Sequence, residues 1–238
     1  MNKKIIFQEV DHVSTNFAEM PKPIKNTVAD WYKDDKNFSH GDNDILKFIK
    51  LGSNATYKMC QPLIDTMTSG YVIALPAAVS VFNDSQNGYV PRIDWQVDWD
   101  VCDALPLNTI QNYPIPYKHN GLGFRWKIDW IIKTPPGYSV WITHPSQRYD
   151  LPFTTINGFV DTDQHPNALL LPFFVREGFE GIIEKDTPIA QIIPIKREGW
   201  VSERKPIDPE YMKKRTGNVK MDYLRTYKNR YWSKKKYD

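Results

Sequence analysis

Residues 155–163 read Thr155-Ile-Asn-Gly-Phe-Val-Asp-Thr-Asp163 and belong to a β-rich segment that runs from Lys133 to Ile195. A strand-like run stops at a glycine here, and two carboxylates, Asp161 and Asp163, follow at positions i and i+2. In an extended chain this spacing places both side chains on one face. The sequence therefore predicts a strand that delivers two acidic groups to one side of a sheet.

Strand-like sequences flank this stretch on both sides. Upstream, Lys133-Thr-Pro-Pro-Gly-Tyr-Ser-Val-Trp-Ile-Thr143 combines a Pro-Gly turn with an alternating strand, and the polar loop His144-Pro-Ser-Gln-Arg148 follows it. Downstream, Thr187-Pro-Ile-Ala-Gln191 opens an apolar strand. The 18 Pro, 13 Tyr and 8 Trp of the chain also favour strands and ordered loops over a helical bundle. We therefore expect a mainly β protein.

Helical spacing of apolar residues is found near the two ends of the chain. Asp208 followed by Pro209 predicts a helix start, because Asp caps helices and Pro suits the first turn. Short N- and C-terminal helices are predicted over residues 23–33, 208–215 and 219–232.

Further strands are predicted over residues 3–10, 71–81 with a break at Pro76, 89–100 and 124–133. A hairpin turn is predicted at Asn87-Gly88, and an extended ordered loop over 103–123.

Charge is distributed unevenly along the 238 residues, which carry a net charge of +3. Residues 204–238 hold twelve Lys or Arg against four Asp or Glu, a local charge of +8, which leaves −5 for residues 1–203. This C-terminal stretch, the basic arm, therefore differs in charge from the rest of the chain. We expect it to pack on its own domain or on a neighbouring subunit, to contact nucleic acid, or to bind another acidic partner.

The composition predicts one large domain with appendages. We divide the chain into an N-terminal extension over 1–56, a β core over 57–200 with an insertion around 83–123, and the basic arm over 201–238. No apolar run approaches the roughly 20 residues needed to span a bilayer, and the first residues turn polar too soon for a signal peptide. We therefore expect no membrane contact and a location in the cytoplasm of the cell that makes the protein.

The order of these elements resembles the trimeric dUTPase and dCTP-deaminase superfamily over about residues 65–196. The Pro-Pro-Gly-Tyr turn, residues 157–163 and residues 187–191 are similar to its third and fourth motifs, and Ser69-Gly-Tyr71 is similar to its first. The resemblance implies a dUTPase-like β-barrel or jelly-roll core, a homotrimer and a deoxynucleotide ligand. It implies magnesium as cofactor only if the protein is catalytic, and otherwise we expect none.

The resemblance also assigns candidate site residues. Asp161 falls on the position of the general base, the carboxylate that orients the water attacking the α-phosphate. The candidate ligand-binding residues are Ser146, Arg148, Asp163, Gln191 and Tyr71. Two structural alternatives stay open: the Asp-x-Asp pair can cap backbone N–H groups, and Gln191 can bridge backbone atoms at a trimer interface.

Several positions depart from the family pattern. Val72 stands where members place a magnesium-supporting Asp, Gln164 replaces a Tyr, and Pro145 and Pro188 occupy two arginine positions. The glycine-rich C-terminal arm of the dUTPases and the Arg-Ser-Ser element of the deaminases have no counterpart here. Because a triphosphate carries about four negative charges, the loss of two arginines is difficult to compensate. We expect the fold to be retained and dUTP hydrolysis to be lost.

A metal site is the other class of site that the sequence suggests. His144, Asp150, Asp161, Asp163 and His165 lie within 22 residues and include the ligand types of non-haem iron. The His-x-Asp/Glu or His-x-His spacing of a jelly-roll oxygenase is missing, so we expect no metal ligands. Cys60 and Cys102 lie far apart, which favours buried thiols over a disulfide or a zinc site.

The chain also resembles a family of tailed-phage proteins that brings no assigned activity. The similar elements are Cys60–Tyr71, Thr134–Ser139, Gly158–Asp163 and Asp186–Arg197. The two resemblances together predict a phage-encoded, non-catalytic binding or assembly protein, in the host cytoplasm or in the virion with phage structural proteins as partners. The alternative is a magnesium-dependent deoxynucleoside triphosphate hydrolase or deaminase.

Overall fold

The computed structural model describes residues 3–10, 14, 16–36, 56–84, 90–219 and 227–238. The chain separates into two compact units. The core unit comprises Met1–Thr27, Gly70–Arg197 and Tyr237–Asp238, and the arm unit comprises Val28–Ser69 and Glu198–Lys236. Each unit combines distant parts of the chain, whereas the division predicted from the sequence, into 1–56, 57–200 and 201–238, follows chain order.

Within the described residues the core unit contains fourteen strands. They are β1 (Ile6–Glu9), β2 (Lys22–Pro23), β3 (Tyr71–Ala74), β4 (Val79–Asp84), β5 (Val90–Trp95), β6 (Cys102–Ala104), β7 (His119–Lys127), β8 (Trp130–Lys133), β9 (Tyr138–Thr143), β10 (Phe153–Thr155), β11 (Gly158–Val160), β12 (Leu170–Arg176), β13 (Gly181–Ile183) and β14 (Pro188–Lys196). The helices are α1 (Asp30–Asp34), α2 (Gln61–Thr68), α3 (Leu107–Ile110) and α4 (Pro209–Val219), with 3-10 turns at Ile24–Thr27 and Tyr57–Met59 and a π-helical turn at Tyr227–Tyr231.

The strands pair in four antiparallel sheets. Their orders are β11-β9-β14-β3-β2, β10-β12-β7-β6, β13-β4-β5 and β1-β8. The prediction of a mainly β protein is confirmed. Among the described residues, no helix is both long enough and apolar enough to cross a bilayer.

Strand β14 lies in the middle of the five-stranded sheet. It pairs with β9 on one side and with β3 on the other. Its residues Ile189, Ala190, Gln191 and Ile192 are all buried at 1% exposure or less. A strand that is buried on both faces carries an apolar run without alternation. The Ile-Ala-Gln-Ile sequence therefore suits this central position, apart from Gln191.

Aromatic side chains fill the core beside the four-stranded sheet. Trp126 of β7 is fully buried and stacks on Phe173 of β12 with ring centroids 3.6 Å apart. Phe153 of β10 meets the Trp126 ring edge-on at 5.3 Å. Rings of this size contribute large apolar areas in specific geometries, which accounts for the aromatic content of these strands.

The predicted helix over 23–33 is wrong in its first half. Pro23 pairs with Tyr71 in β2, and the Ile24 amide donates to the Gly70 carbonyl at 3.1 Å. Sheet pairing and the burial of Ile24 at 4% exposure override local helical spacing, so that helical structure is reduced to a 3-10 turn and α1.

The prediction of an extended loop over 103–123 is also wrong in part, because this stretch contains regular structure. Strand β6 pairs with β7 through Cys102 opposite Trp126, and α3 follows it. The strand predicted over 89–100 is shorter in the structure, where β5 ends at Trp95. Helix α2 was not predicted. The Asn87-Gly88 turn lies outside the described residues, as do residues 220–226 of the helix predicted over 219–232. The described part of that prediction contains the π-helical turn Tyr227–Tyr231.

The predicted cap at Asp208 is confirmed. Its Oδ1 accepts from the amides of Glu210 at 2.9 Å and Tyr211 at 3.1 Å, at the start of α4. A side chain that accepts from the first free amides of a helix is the function expected of an N-cap residue.

Replacing Gly70 tests its close approach to the Ile192 carbonyl of β14. Gly70 has φ +79°, and a Cβ there would lie 2.0 Å from the Ile192 carbonyl oxygen. Gly70→Ala is expected to lower the free energy of unfolding by about 2–5 kcal/mol, combining left-handed backbone strain with overpacking. Gly137→Ala is the matched control, because Gly137 has φ +80° with open space around its Cβ position. Urea unfolding that shows equal losses in both variants would contradict the close approach.

Candidate functional site

Asp161 lies where the chain leaves β11. Strand β11 pairs with β9 through Val160 opposite Val140, so Asp161 emerges beside Ser139. The Ser139 hydroxyl donates to Asp161 Oδ1 at 2.6 Å. A turn follows, because the amides of Gln164 and His165 both donate to the Asp161 carbonyl.

Arg197 joins the two carboxylates. It directly follows β14, and its Nη1 donates to Asp163 Oδ1 at 2.8 Å and to Ser139 Oγ at 3.0 Å. The same Nη1 lies 3.2 Å from Asp161 Oδ1, and Nη2 pairs with Asp163 Oδ2. We call Ser139, Asp161, Asp163 and Arg197 the carboxylate–arginine cluster.

Asp163 is the better enclosed of the two carboxylates, with a side chain that is 6% exposed. Its Oδ2 also accepts from the Gly137 amide at 2.8 Å. The hydrogen bond from Arg197 is the main reason that the pKa of Asp163 is lowered. Beside it, the hydroxyls of Thr134 and Thr162 lie 2.8 Å apart. The cluster therefore ties the Pro-Pro-Gly turn to the Asp-Thr-Asp turn, as the capping alternative predicts.

A cleft of about 470 Å³ lies at the other end of β9. It is formed by the loop after β9, by β10 and its following turn, and by side chains from elsewhere in the core unit. Its lining residues are Tyr113, Thr143–Tyr149, Phe153–Asn157 and Arg176. We call it the loop cleft.

Gln191 positions the loop at the mouth of this cleft. Its side chain is fully buried in β14, and its Oε1 accepts from the Ser146 amide at 3.1 Å. A buried amide must find hydrogen-bond partners, and the loop backbone supplies one. Gln191 therefore bridges backbone within its own chain.

The two arginines of the loop cleft differ in how their charge is compensated. Arg148 donates from Nε to Asp150 Oδ1 at 2.9 Å and from Nη2 to Asp150 Oδ2 at 2.7 Å, a bidentate pair. Arg176 donates from Nη2 to the Tyr149 carbonyl and has no ion-pair partner among the described residues. Arg176 therefore brings the uncompensated positive charge to the cleft.

His144 is held as a neutral ring in the cleft wall. Its Nδ1 accepts from the Thr155 amide at 3.3 Å, and its Nε2 lies 3.1 Å from the Arg148 carbonyl, to which a protonated Nε2 donates. Burial lowers the pKa of His144, and the hydrogen bond to Arg148 opposes this only in part. The ring serves as a support for the loop.

Tyr71 lies on β3, away from both groups of residues. Its ring meets Phe7 edge-on at 5.4 Å and Tyr237 edge-on at 6.0 Å. Its hydroxyl donates to the Asp238 carbonyl at 3.2 Å, and burial is the main reason that its pKa is raised. The tyrosine therefore anchors the last two residues of the core unit.

The residues predicted as one site thus lie in three places. Ser146, Arg148 and Gln191 belong to the loop cleft, Asp161 and Asp163 lie at the opposite end of β9, and Tyr71 lies on β3. The sequence interpretation missed Ser139, Arg197 and Arg176. Arg197 could have been noticed as the cation that ends the Ile-Pro-Ile-Lys-Arg strand, but its partners are 34 and 36 positions away.

A metal site was the other class of site that the sequence suggested. Within the described part of the chain, no group of three His, Cys, Asp or Glu side chains is placed to hold a metal ion. Cys60 and Cys102 are both free thiols, and burial raises the pKa of the Cys102 thiol to about 12. Cys102 is therefore an unreactive core side chain.

Comparison with known proteins assigns no family. No protein-family model matches the chain, and no curated protein matches it significantly. The resemblances to the dUTPase superfamily and to the tailed-phage family therefore stay predictions.

Replacing Asp163 tests the carboxylate–arginine cluster. Because the pKa of Asp163 is lowered in the folded protein, its contribution to stability is fully present above the ordinary aspartate pKa of about 3.9. That contribution is lost as the pH falls through the lowered value. Asp163→Asn is expected to reduce the melting temperature at neutral pH and to weaken the acid dependence of stability. Asp161→Asn, at a side chain that is 62% exposed, is expected to reduce it less. Equal melting temperatures for parent and Asp163→Asn would contradict a structural role.

A second pH dependence follows from His144. A folded-state pKa below the ordinary value of about 6.5 makes stability fall as the pH drops through 6.5 towards the lowered value. His144→Asn is expected to flatten the profile of urea-unfolding free energy between about pH 7 and pH 5. His165→Asn is the matched control and should keep the parent profile. A parent profile that is already flat in this range would refute the assignment.

Proposed function

We propose that this chain is a phage-encoded, non-catalytic binding or assembly protein with a dUTPase-like core that forms a homotrimer. The observation that carries the proposal is the carboxylate–arginine cluster. The carboxylate that the family resemblance assigns to water activation is held by the Ser139 hydroxyl and lies beside Arg197. Both oxygens of its neighbour Asp163 are also engaged within the fold.

The surroundings of the family positions support the same conclusion. Val72, which replaces the magnesium-supporting Asp, is buried at 2% exposure, and Pro188 begins β14. Arg148, the nearest basic residue to Pro145 in the loop, already pairs bidentately with Asp150. A triphosphate site needs several cations that are not neutralised by the protein itself. These positions offer none.

Exposed aromatic residues favour a contact surface. Phe159 of β11 is 69% exposed and stacks on Trp141 of β9 with ring centroids 6.0 Å apart. Strand β11 stands at the edge of the five-stranded sheet. An apolar pair beside a sheet edge suits association with another subunit or with a phage structural protein, inside the host cytoplasm or in the virion.

The second candidate function is a magnesium-dependent deoxynucleotide hydrolase or deaminase. The observation that favours it is the loop cleft, whose volume suits a small ligand and whose Arg176 is uncompensated. In that case Ser146 and Arg176 would contact the ligand, and magnesium would be required as cofactor.

A thermal-shift screen against deoxynucleoside mono-, di- and triphosphates, with and without magnesium, separates the two functions. A ligand present at a hundredfold excess over its dissociation constant stabilises the folded state by about 2.7 kcal/mol, which gives a measurable shift. The proposed function predicts no magnesium-dependent shift and no nucleotide turnover by the parent or by Asp161→Asn. Magnesium-dependent nucleotide turnover by the parent would establish the enzyme instead, and its loss in folded Asp161→Asn would place the chemistry at the carboxylate end of β9 rather than in the loop cleft.

A further inference from the structure

Residues 227–236 of the arm unit form a compact basic segment. They read Tyr-Lys-Asn-Arg-Tyr-Trp-Ser-Lys-Lys-Lys, with five Lys or Arg and no Asp or Glu. The segment begins with the π-helical turn Tyr227–Tyr231, closed by the Trp232 amide on the Tyr227 carbonyl at 2.9 Å. We call it the arm segment.

One carboxylate anchors the arm segment to α2. The Trp232 indole Nε1 lies 2.9 Å from Asp65 Oδ2 and 3.1 Å from Oδ1, and Lys235 Nζ lies 2.6 Å from Oδ2. The Asp65 side chain is only 16% exposed, so these contacts are well shielded. An anchored segment loses less conformational freedom on binding a partner than a disordered tail does.

Three lysines of the arm segment keep their charge uncompensated. Lys228, Lys234 and Lys236 are exposed, and none of them has an ion-pair partner among the described residues. Like charges at this density repel one another, which is unfavourable without counterions or an anionic partner. The segment therefore presents cations to a ligand rather than to its own fold.

An exposed ring lies among these cations. Tyr231 is 64% exposed and stands between Arg230 and Trp232 in the chain. The arm segment contains no Leu, Ile, Val, Met or Phe, and its Trp232 indole is engaged by Asp65, so it lacks the apolar face that inserts into a lipid surface. Cations interleaved with an exposed aromatic ring match an unpaired nucleotide chain, which offers phosphates and free base faces together.

We propose that the arm segment binds single-stranded nucleic acid, with Lys228, Lys234 and Lys236 contacting phosphates and Tyr231 stacking on a base. This inference deepens the binding role proposed above, for a surface that does not involve the carboxylate–arginine cluster or the loop cleft. Sequence preference is expected to be weak, because stacking and phosphate contacts are available from every base.

Fluorescence anisotropy of the full chain with a labelled oligothymidylate of about 20 nucleotides tests the proposal. Three phosphate contacts contribute about −2 to the slope of log K against log salt, which is about a 20-fold loss of affinity between about 50 and 200 mM salt. Changing Lys228, Lys234 and Lys236 to Gln is expected to remove that part of the slope. Tyr231→Ala is expected to weaken binding at least about 5-fold and to leave the slope unchanged.

The matched control changes three exposed lysines of the core unit, Lys118, Lys133 and Lys185, to Gln. It removes the same charge and is expected to keep parental affinity and slope. Circular dichroism and melting temperature confirm that each variant is folded.

Several outcomes would overturn the proposal: no binding at about 50 mM salt, equal losses in the control and in the arm variant, or tighter binding to phosphatidylserine vesicles or to polyglutamate than to the oligonucleotide. Duplex binding that is insensitive to Tyr231→Ala would overturn the single-strand assignment. The nucleotide thermal-shift screen is repeated on the triple lysine variant of the arm segment, where a remaining shift belongs to the core unit, so either proposal can fail without the other.

Discussion

Strand β14 is buried on both faces, and the core unit is arranged around this constraint. Ile189, Ala190, Gln191 and Ile192 leave no room for an unpaired polar group. Gln191 must therefore bond within the fold, and its contact with the Ser146 amide fixes the loop that lines the cleft. At the end of the same strand Arg197 meets the paired carboxylates. One central strand thus sets the geometry at both ends of its neighbour β9.

The same contacts give the carboxylate–arginine cluster a structural role. Asp163 accepts from Arg197 with Oδ1 and from the Gly137 amide with Oδ2, so both of its oxygens are bonded within the fold. Arg197 compensates one of the two carboxylate charges, and its hydrogen bonds stabilise a connection between two turns.

Local patterns predicted the elements and not their long-range partners. The mainly β class, the break of the 71–81 strand at Pro76 and the Asp208 cap follow from residue types within a few positions of one another. The site does not, because Arg197 joins carboxylates more than thirty positions away. The i, i+2 spacing predicted that an extended strand places Asp161 and Asp163 on one side, whereas both reach Arg197 from the turn that follows β11. A sequence also cannot show which end of a strand faces a cleft.

The two units use charge in opposite ways. In the core unit Arg125 pairs with Asp103 across β6 and β7, as Arg148 pairs with Asp150 and Arg197 with Asp163. In the arm unit, Asp65 of α2 bonds both Trp232 and Lys235 of the arm segment, while three exposed lysines of that segment stay unpaired among the described residues. Even paired surface lysines add little stability, and these three are unpaired, so folding alone does not require this concentration of lysines. A cluster of like charges that is nevertheless held in place by a shielded anchor supports the proposal of an anionic partner.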